Sequence, residues 1–311
     1  MKADTEQIIY FNGEFVPESQ AKISVKTHAL HYGTGCFGGL RAYYSEKDHA
    51  LFVSRIEDHY KRFLGSCKML FIDLKLTVEE LKKITIELVQ KNFAEADLYI
   101  RPLAYKADPA VGNFNLPTLR DGFLIYTTPL GRYLNVEKGI RVNISSWRRV
   151  PDNAIPPRGK ITGTYVNTAL AKTESLQNGY DEALLLDGQG HIVEGSAENI
   201  FMVRNGMVVT PPLSDDILQG ITRDTIMKLC KDLKLHVQER SIDRSEIYVA
   251  DEVFLVGTGA EVTPVIEVDK RKVGDGNIGK TSQQIKDAYF KLTHGEYPNF
   301  KETVTKILPV K

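Results

Sequence analysis

Pro156-Pro157-Arg158-Gly159-Lys160-Ile161-Thr162-Gly163-Thr164-Tyr165 sets one lysine between two glycines, behind a proline-rich approach and at the mouth of a helical pattern from Tyr165 to Asn178. Taken alone, such a lysine reads as a solvated surface residue, since ammonium groups are rarely buried. The alternative is an amine in a dry pocket. There burial and nearby cations favour the neutral form, which can join an aldehyde as a Schiff base. Segments further along the chain decide between the two.

Glu194-Gly195-Ser196-Ala197-Glu198-Asn199 lies between two strand patterns. It is either a solvated acidic turn or small residues packed close to a flat ligand, with Glu194 holding the proton on a ring nitrogen. Leu218-Gln219-Gly220-Ile221-Thr222-Arg223-Asp224 opens a helix. Glycine then threonine there gives either an ordinary threonine cap or a cup of N–H groups for an anion. Gly257-Thr258-Gly259-Ala260 is a tight turn that reverses the chain or presents N–H groups to an anion. An imine-forming lysine, a pyridine-nitrogen partner and a phosphate cup are the three handles of pyridoxal 5′-phosphate (PLP).

One further motif invites a different reading. Gly33-Thr34-Gly35-Cys36-Phe37-Gly38 has the glycine spacing of a dinucleotide fingerprint. That fingerprint follows a buried strand and opens a helix, whereas here a strand-like Leu40–Tyr44 follows. It reads instead as a glycine-rich loop where backbone passes close to something. No set of Cys, His or carboxylates completes a metal site around His28 and His31, so both read as structural.

The 311 residues suggest two domains, at about 100–200 residues each. Apolar residues at 42% supply material for full cores and exclude disordered classes. Forty basic residues balance forty acidic ones, with no basic tract to bind nucleic acid. No apolar run reaches the about 18–20 residues of a membrane helix, and Met1–Gln7 lacks a signal core. Cys36, Cys67 and Cys230 are scattered and odd in number, which fits a reducing cytoplasm.

The pattern predicts an α+β fold. Ile8–Phe11 and Glu14–Val16 form a hairpin about Asn12-Gly13, and Ile56–Met69 is helical. Thr77-Val78-Glu79-Glu80 is a capping box opening a helix to Asn92. Strands follow at Leu98–Tyr105 and Gly122–Thr128. Residues 1–130 make an N-terminal domain, 131–138 a linker, and 139–311 a C-terminal domain carrying most of the site. The C-terminal part reads as a meander of strands with helices at Thr222–Leu233 and Lys280–Leu292.

With these residues in view, the chain resembles the class IV, fold type IV, PLP-dependent aminotransferases, and most of all the branched-chain amino acid aminotransferases. The similarity runs from Phe11-Asn12-Gly13-Glu14 to about Gly295. Ala29–Gly33, Tyr99-Ile100-Arg101-Pro102, Lys160–Asn167, Glu194–Phe201, Leu218–Asp224, Ala250–Phe254 and Gly257–Pro264 carry it, in order and spacing.

The resemblance implies a role for each matching residue. Lys160 is the catalytic lysine that carries the cofactor. Tyr165 matches the partner of the cofactor's phenolic oxygen, and Glu194 the partner of its ring nitrogen. Arg55, with Leu218, Ile221, Thr222 and Thr258, matches the groups around the phosphate. On the substrate side, Tyr99, Gly259 and Ala260 match groups that hold the α-carboxylate, and Arg101 the reader of the distal carboxylate of glutamate. Arg41 joins the substrate-side set; Tyr32, Phe37, Leu130 and Tyr133 fall where the family lines an apolar pocket.

The implied reaction is transamination between branched-chain L-amino acids and 2-oxoglutarate, in the cytoplasm, by a homodimer or a multiple of one in which Tyr32 reaches in from the partner subunit. D-amino acid aminotransferases and aminodeoxychorismate lyase share the cofactor handles, and an inactive PLP-binding protein keeps the fold; assays with L-leucine, D-alanine and aminodeoxychorismate separate these. Two departures bear on substrate range. The usual Phe-Glu-Gly is here Phe37-Gly38-Gly39, and Leu130 stands where some bacterial members carry tryptophan.

Overall fold

Asn12 and Gly13, with φ of 49° and 105°, turn Ile8–Phe11 (β1) onto Glu14–Pro17 (β2). Left-handed backbone at both positions matches the strand twist, so the Asn-Gly pair fixes the register. A short helix, His28–Tyr32 (α1), leads into the strands Gly35–Phe37 (β3), Leu40–Ser45 (β4) and Ala50–Ser54 (β5). Two helices follow, Ile56–Met69 (α2) and Val78–Lys91 (α3), then Leu98–Lys106 (β6) and Asp121–Pro129 (β7). The capping box at Thr77 forms as the sequence predicts, with Thr77 and Glu80 bonding each other's backbone N–H. These strands make one sheet in the order Val304–Ile307, β5, β4, β6, β7, β1, β2. Residues 98–100 of β6 pair with β4, and its far half pairs with β3. Tyr60 and Phe63 of α2, with Leu81 and Leu88 of α3, are fully buried in the core of this sheet-and-helix unit.

The structure, a computed structural model, describes residues 6–131, 134 and 137–310. They divide into two units. The first holds the chain up to Gly131 together with Gly159–Gly163 and the residues from Leu292 on. The second holds the described residues of 132–158 with Thr164–Lys291. Where the sequence suggested a single passage through 131–138, the chain returns to the first unit twice. The first return is made by the lysine segment, whose Ile161 pairs with Cys36 of β3. The second supplies the strand Val304–Ile307 that covers the edge of β5.

The second unit is built on a ten-stranded sheet. Its strands are Ile140–Arg148 (β8), Glu182–Leu186 (β9), His191–Gly195 (β10), Asn199–Arg204 (β11), Met207–Thr210 (β12), Val237–Glu239 (β13), Ile242–Asp243 (β14), Glu252–Gly257 (β15), Glu261–Val268 (β16) and Arg271–Lys272 (β17). The helices are Tyr165–Gln177 (α4), Ile221–Asp232 (α5) and Lys280–Thr293 (α6), α4 being followed by Gly179 at φ 79°. Strand order is β13-β12-β11-β15-β16-β8-β9-β10-β14. An additional pairing of Glu194 with Asn199 joins β10 back to β11 and closes the strands between them into a ring. Phe201 and Phe254 face each other across β11 and β15, stacked at 5.1 Å and 2°.

Both rings of that stack are completely buried, so truncation leaves a cavity that the strands cannot fill. Phe201→Ala is expected to cost about 3–5 kcal/mol, read as a lower urea midpoint of the tryptophan or circular-dichroism transition.

Candidate active site

The lysine segment is bound to the first unit by its main chain. The Lys160 N–H donates to Ser66 Oγ at 3.1 Å, and its carbonyl accepts the Phe37 N–H at 3.0 Å. Lys160 is half-buried, with Nζ 5.2 Å from the centre of the Phe37 ring. It is therefore not the fully solvated lysine of the bland reading.

α2 presents one face of polar residues at helical spacing: Arg55 at its N-cap, then His59, Arg62 and Ser66. Arg55 is buried, has left-handed backbone at φ 55°, and pairs with Asp58 at 2.8 Å. His59 is 6% exposed, and its Nδ1 has no hydrogen-bond partner. Burial, aided by the charges of Arg62, Arg55 and Lys160, pushes its pKa well below the ordinary imidazole range. His59 is thus a neutral ring set among cations.

On β6, Arg101 donates to Tyr99 Oη at 3.0 Å and stacks over Phe37 at 4.2 Å, which fixes the plane of the guanidinium. Its Nε is buried with no partner. Gly38 lies against Pro102, where an added Cβ would stand 2.6 Å from the proline Cγ. The carboxylate missing at this position is therefore not a simple exchange, because a side chain there would displace Pro102 on the strand that carries Arg101.

Arg41 of β4 is buried and engaged by Asp97 at 3.0 Å and by the Leu130 carbonyl at 3.2 Å. Leu130, half-buried, donates its N–H to the Asp97 carbonyl at 3.2 Å. Tyr32 ends α1, with its hydroxyl accepting the Gly112 N–H at 3.2 Å and its ring 5.0 Å from Phe114. Tyr133 lies outside the described residues. His28, read as structural, holds Thr34 Oγ1 at 2.8 Å and the Asn113 carbonyl at 2.9 Å.

In the second unit, Glu194 is 4% exposed. Oε1 accepts the Leu218 N–H at 2.6 Å and the Asn199 amide at 2.9 Å, and Oε2 lies 3.3 Å from Arg149 Nε. The solvated-turn reading fails: this is an acid held in one orientation by two strands and a loop. α5 begins at Gly220 with no side chain capping its N-terminus, so Thr222, buried in the first turn, is not the cap. A long helix start of this kind carries N–H groups and partial positive charge. Tyr165 opens α4 directly after the Thr162–Thr164 turn and is half-buried. Thr258, Gly259 and Ala260 form the loop from β15 to β16, braced by the Thr263 hydroxyl on the Ala260 carbonyl at 2.6 Å.

Sequence reading missed Ser66, His59, Arg149 and Asn199. Ser66 and His59 look like the polar face of an amphipathic helix. Only their spacing of four and eleven residues from Arg55 hints at a shared face. Asn199 closes the Glu194–Asn199 motif but its role as a partner of Glu194 was not read from it, and Arg149 reaches Glu194 from outside any recognised motif.

A family model described as amino-transferase class IV matches residues 35–268. The "probable branched-chain-amino-acid aminotransferase" of Aquifex aeolicus is 46% identical over 99% of this chain and 99% of its own. The branched-chain-amino-acid aminotransferase of Escherichia coli K12 is 40% identical over 93% of each chain. Among solved structures, the Thermoproteus uzoniensis branched-chain aminotransferase with norvaline matches with a TM-score of 0.93 at 40% identity, over 97% of this chain and 100% of that one. The Thermobaculum terrenum branched-chain amino acid aminotransferase in its PLP form matches with a TM-score of 0.90 at 33% identity, over 97% and 98%.

The His59 environment predicts a pH effect. Its folded-state pKa lies below that of the unfolded chain, so the neutral ring contributes stability at neutral pH. That contribution is lost as pH falls below about 6.5, where the unfolded chain starts to bind a proton. His59→Asn is expected to show a shallower loss of melting temperature than the parent between about pH 7 and pH 5. Parallel pH curves for the two proteins would contradict this assignment.

Proposed function

This chain belongs to the class IV aminotransferases, and from that premise we propose that it moves amino groups between branched-chain L-amino acids and 2-oxoglutarate, yielding branched 2-oxo acids and L-glutamate. The observation that carries this is the near-complete, two-way coverage of relatives named for that activity. PLP is the cofactor.

The residues present fit PLP. A buried carboxylate at Glu194 suits a protonated ring nitrogen, and the buried guanidinium of Arg55 suits a phosphate. The α5 start, which no side chain caps, suits a phosphate through Ile221 and Thr222. The cofactor, when bound, supplies an electrophilic aldehyde and an electron-withdrawing ring.

Within this reading Lys160 holds the cofactor through Nζ. When not joined to the cofactor, Nζ would be the base that takes the substrate Cα proton and would return it on the cofactor side. Glu194 keeps the proton on the ring nitrogen. Its own charge is held in place by the Leu218 N–H and by Asn199, with Arg149 alongside. Tyr165 donates to the phenolic oxygen, and Thr258 joins Leu218, Ile221 and Thr222 at the phosphate end. Tyr99, Gly259 and Ala260 hold the α-carboxylate. Phe37 and Leu130 line the place of an aliphatic side chain, with Tyr32 supplied by the second copy, and Arg41 acts by bracing Leu130.

Arg101 lets one pocket serve two substrates. Its fork binds the distal carboxylate of glutamate, and the Phe37 ring beneath it meets aliphatic groups. The protein acts in the cytoplasm as a homodimer or multiple of one, with the Tyr32 region against the second copy. Tyr32 and Phe114, both exposed and packed ring against ring beside the buried His28, support that surface. No helix among the described residues is long and apolar enough to cross a membrane.

Lys160→Ala is expected to lose the visible absorbance of lysine-bound PLP together with turnover, as read by spectrophotometry and a coupled glutamate assay; retained turnover would overturn the role of Lys160. Arg101→Ala is expected to lower kcat/KM for glutamate by about 10- to 100-fold, since a charge-assisted bond is lost, and to change leucine by less than about 3-fold. Half-reactions followed in the spectrophotometer separate the two substrates, and equal losses would refute the dual use of the pocket.

A further inference from the structure

The Gly33-Thr34-Gly35 loop has no part in the reaction described above, nor have Thr162 and Ser66. The structure ties Gly33, Gly35 and Ser66 to the segment that carries Lys160. Thr162 Oγ1 lies 2.7 Å from the Gly33 carbonyl, to which it donates, and 3.1 Å from that of Gly35. It also accepts the Gly35 N–H at 3.2 Å. The Gly163 N–H donates to the same Gly33 carbonyl at 3.2 Å. The two backbones meet so closely that a Cβ on Gly33, whose φ is 66°, would stand 2.8 Å from Gly163 Cα.

Three residues earlier, the Lys160 N–H rests on Ser66 Oγ and its carbonyl on the Phe37 N–H. Ser66 is 1% exposed and passes its own proton to the Arg62 carbonyl at 3.1 Å, so its oxygen lone pairs are aimed at Lys160. The segment is thus clasped at both ends, by a helix hydroxyl at Lys160 and by its own threonine hydroxyl on the glycine loop.

We propose that the hydroxyls of Thr162 and Ser66 are positioning groups for Lys160, fixing its Cα so that Nζ swings from one pivot between the cofactor and the substrate Cα proton. This rests on the reading of Lys160 as the amine that holds the cofactor and moves the proton. A lysine with two jobs reaches both through rotations of its four-carbon stem. Each rotation transmits any shift of Cα to Nζ at full length. Misplacement by about 1 Å costs about 100-fold in rate, so two hydroxyls that hold the main chain act on the chemistry without touching substrate. Removing Ser66 Oγ takes away the acceptor that holds the Lys160 N–H, and with it the anchor of the segment at α2.

The test uses the PLP-loaded enzyme with Thr162→Val, which keeps the shape and drops the hydroxyl, Thr162→Ser, which keeps the hydroxyl, and Ser66→Ala. Two quantities are read: the pH midpoint of the visible absorbance of lysine-bound cofactor, and the split of kcat from KM in the leucine half-reaction. Thr162→Val and Ser66→Ala are expected to displace the midpoint by about half a pH unit or more and to lower kcat about 10-fold with KM within about 2-fold. Thr162→Ser is expected to stay within about 2-fold of the parent in kcat and to keep its midpoint.

A parental midpoint and kcat in Thr162→Val would overturn the proposal. So would a Thr162→Ser as impaired as Thr162→Val, because the methyl and not the hydroxyl would then matter. Should Ser66→Ala fail to fold, the two Thr162 variants decide the matter alone. The underlying reading fails separately: a Lys160→Ala protein that keeps the absorbance overturns it whatever the Thr162 variants do.

Discussion

An amine is a nucleophile or a base only when it carries no proton, and a lysine at ordinary pH gives up its proton only where water is scarce and other cations are near. Lys160 is half-buried, and the fold sets other cations near it. An aromatic ring lies beside Nζ, and the polar face of α2 contributes Arg55, Arg62 and an uncharged His59. A protonated imidazole would add a cation beside Arg55 and Arg62. Burial instead keeps that ring neutral, and the fold thereby limits the positive charge gathered there.

The acid in the second unit obeys the opposite demand. Glu194 is buried, and an isolated carboxylate in such a place is costly. Two donors and an arginine supply what water would have given. The same pair, Glu194 and Asn199, is the cross-strand contact that closes β10 onto β11. The buried acid is therefore also the seam of the sheet, and its orientation is as rigid as the closure itself.

Much of this was legible before any coordinates. The hairpin at Asn12-Gly13, the limits of α2 and the capping box at Thr77 all come from local chemistry, which a sequence displays directly. The glycine-flanked lysine and the Gly220 helix start were likewise visible as motifs. What was not legible depends on distant partners. Gly35–Phe37 is too short to show an alternating pattern and is a strand only because β6 is long enough to receive it. Ser66 and His59 are indistinguishable from a solvated helix face until a lysine 94 residues away from Ser66 is seen to bond it. Leu130 and Arg41 share a carbonyl contact spanning 89 residues that no periodicity encodes.

The strand Val304–Ile307 lies on β5, where Lys306 meets Asp48 across 258 residues of chain. A ribosome making about 5–20 residues per second leaves that edge open for tens of seconds after β5 has emerged. The unit that is begun first is thus the one finished last, and vectorial synthesis exposes an unpaired row of amides in the meantime. A nascent chain halted before Val304 would carry that open edge permanently, ready to recruit the same strand from a neighbouring molecule.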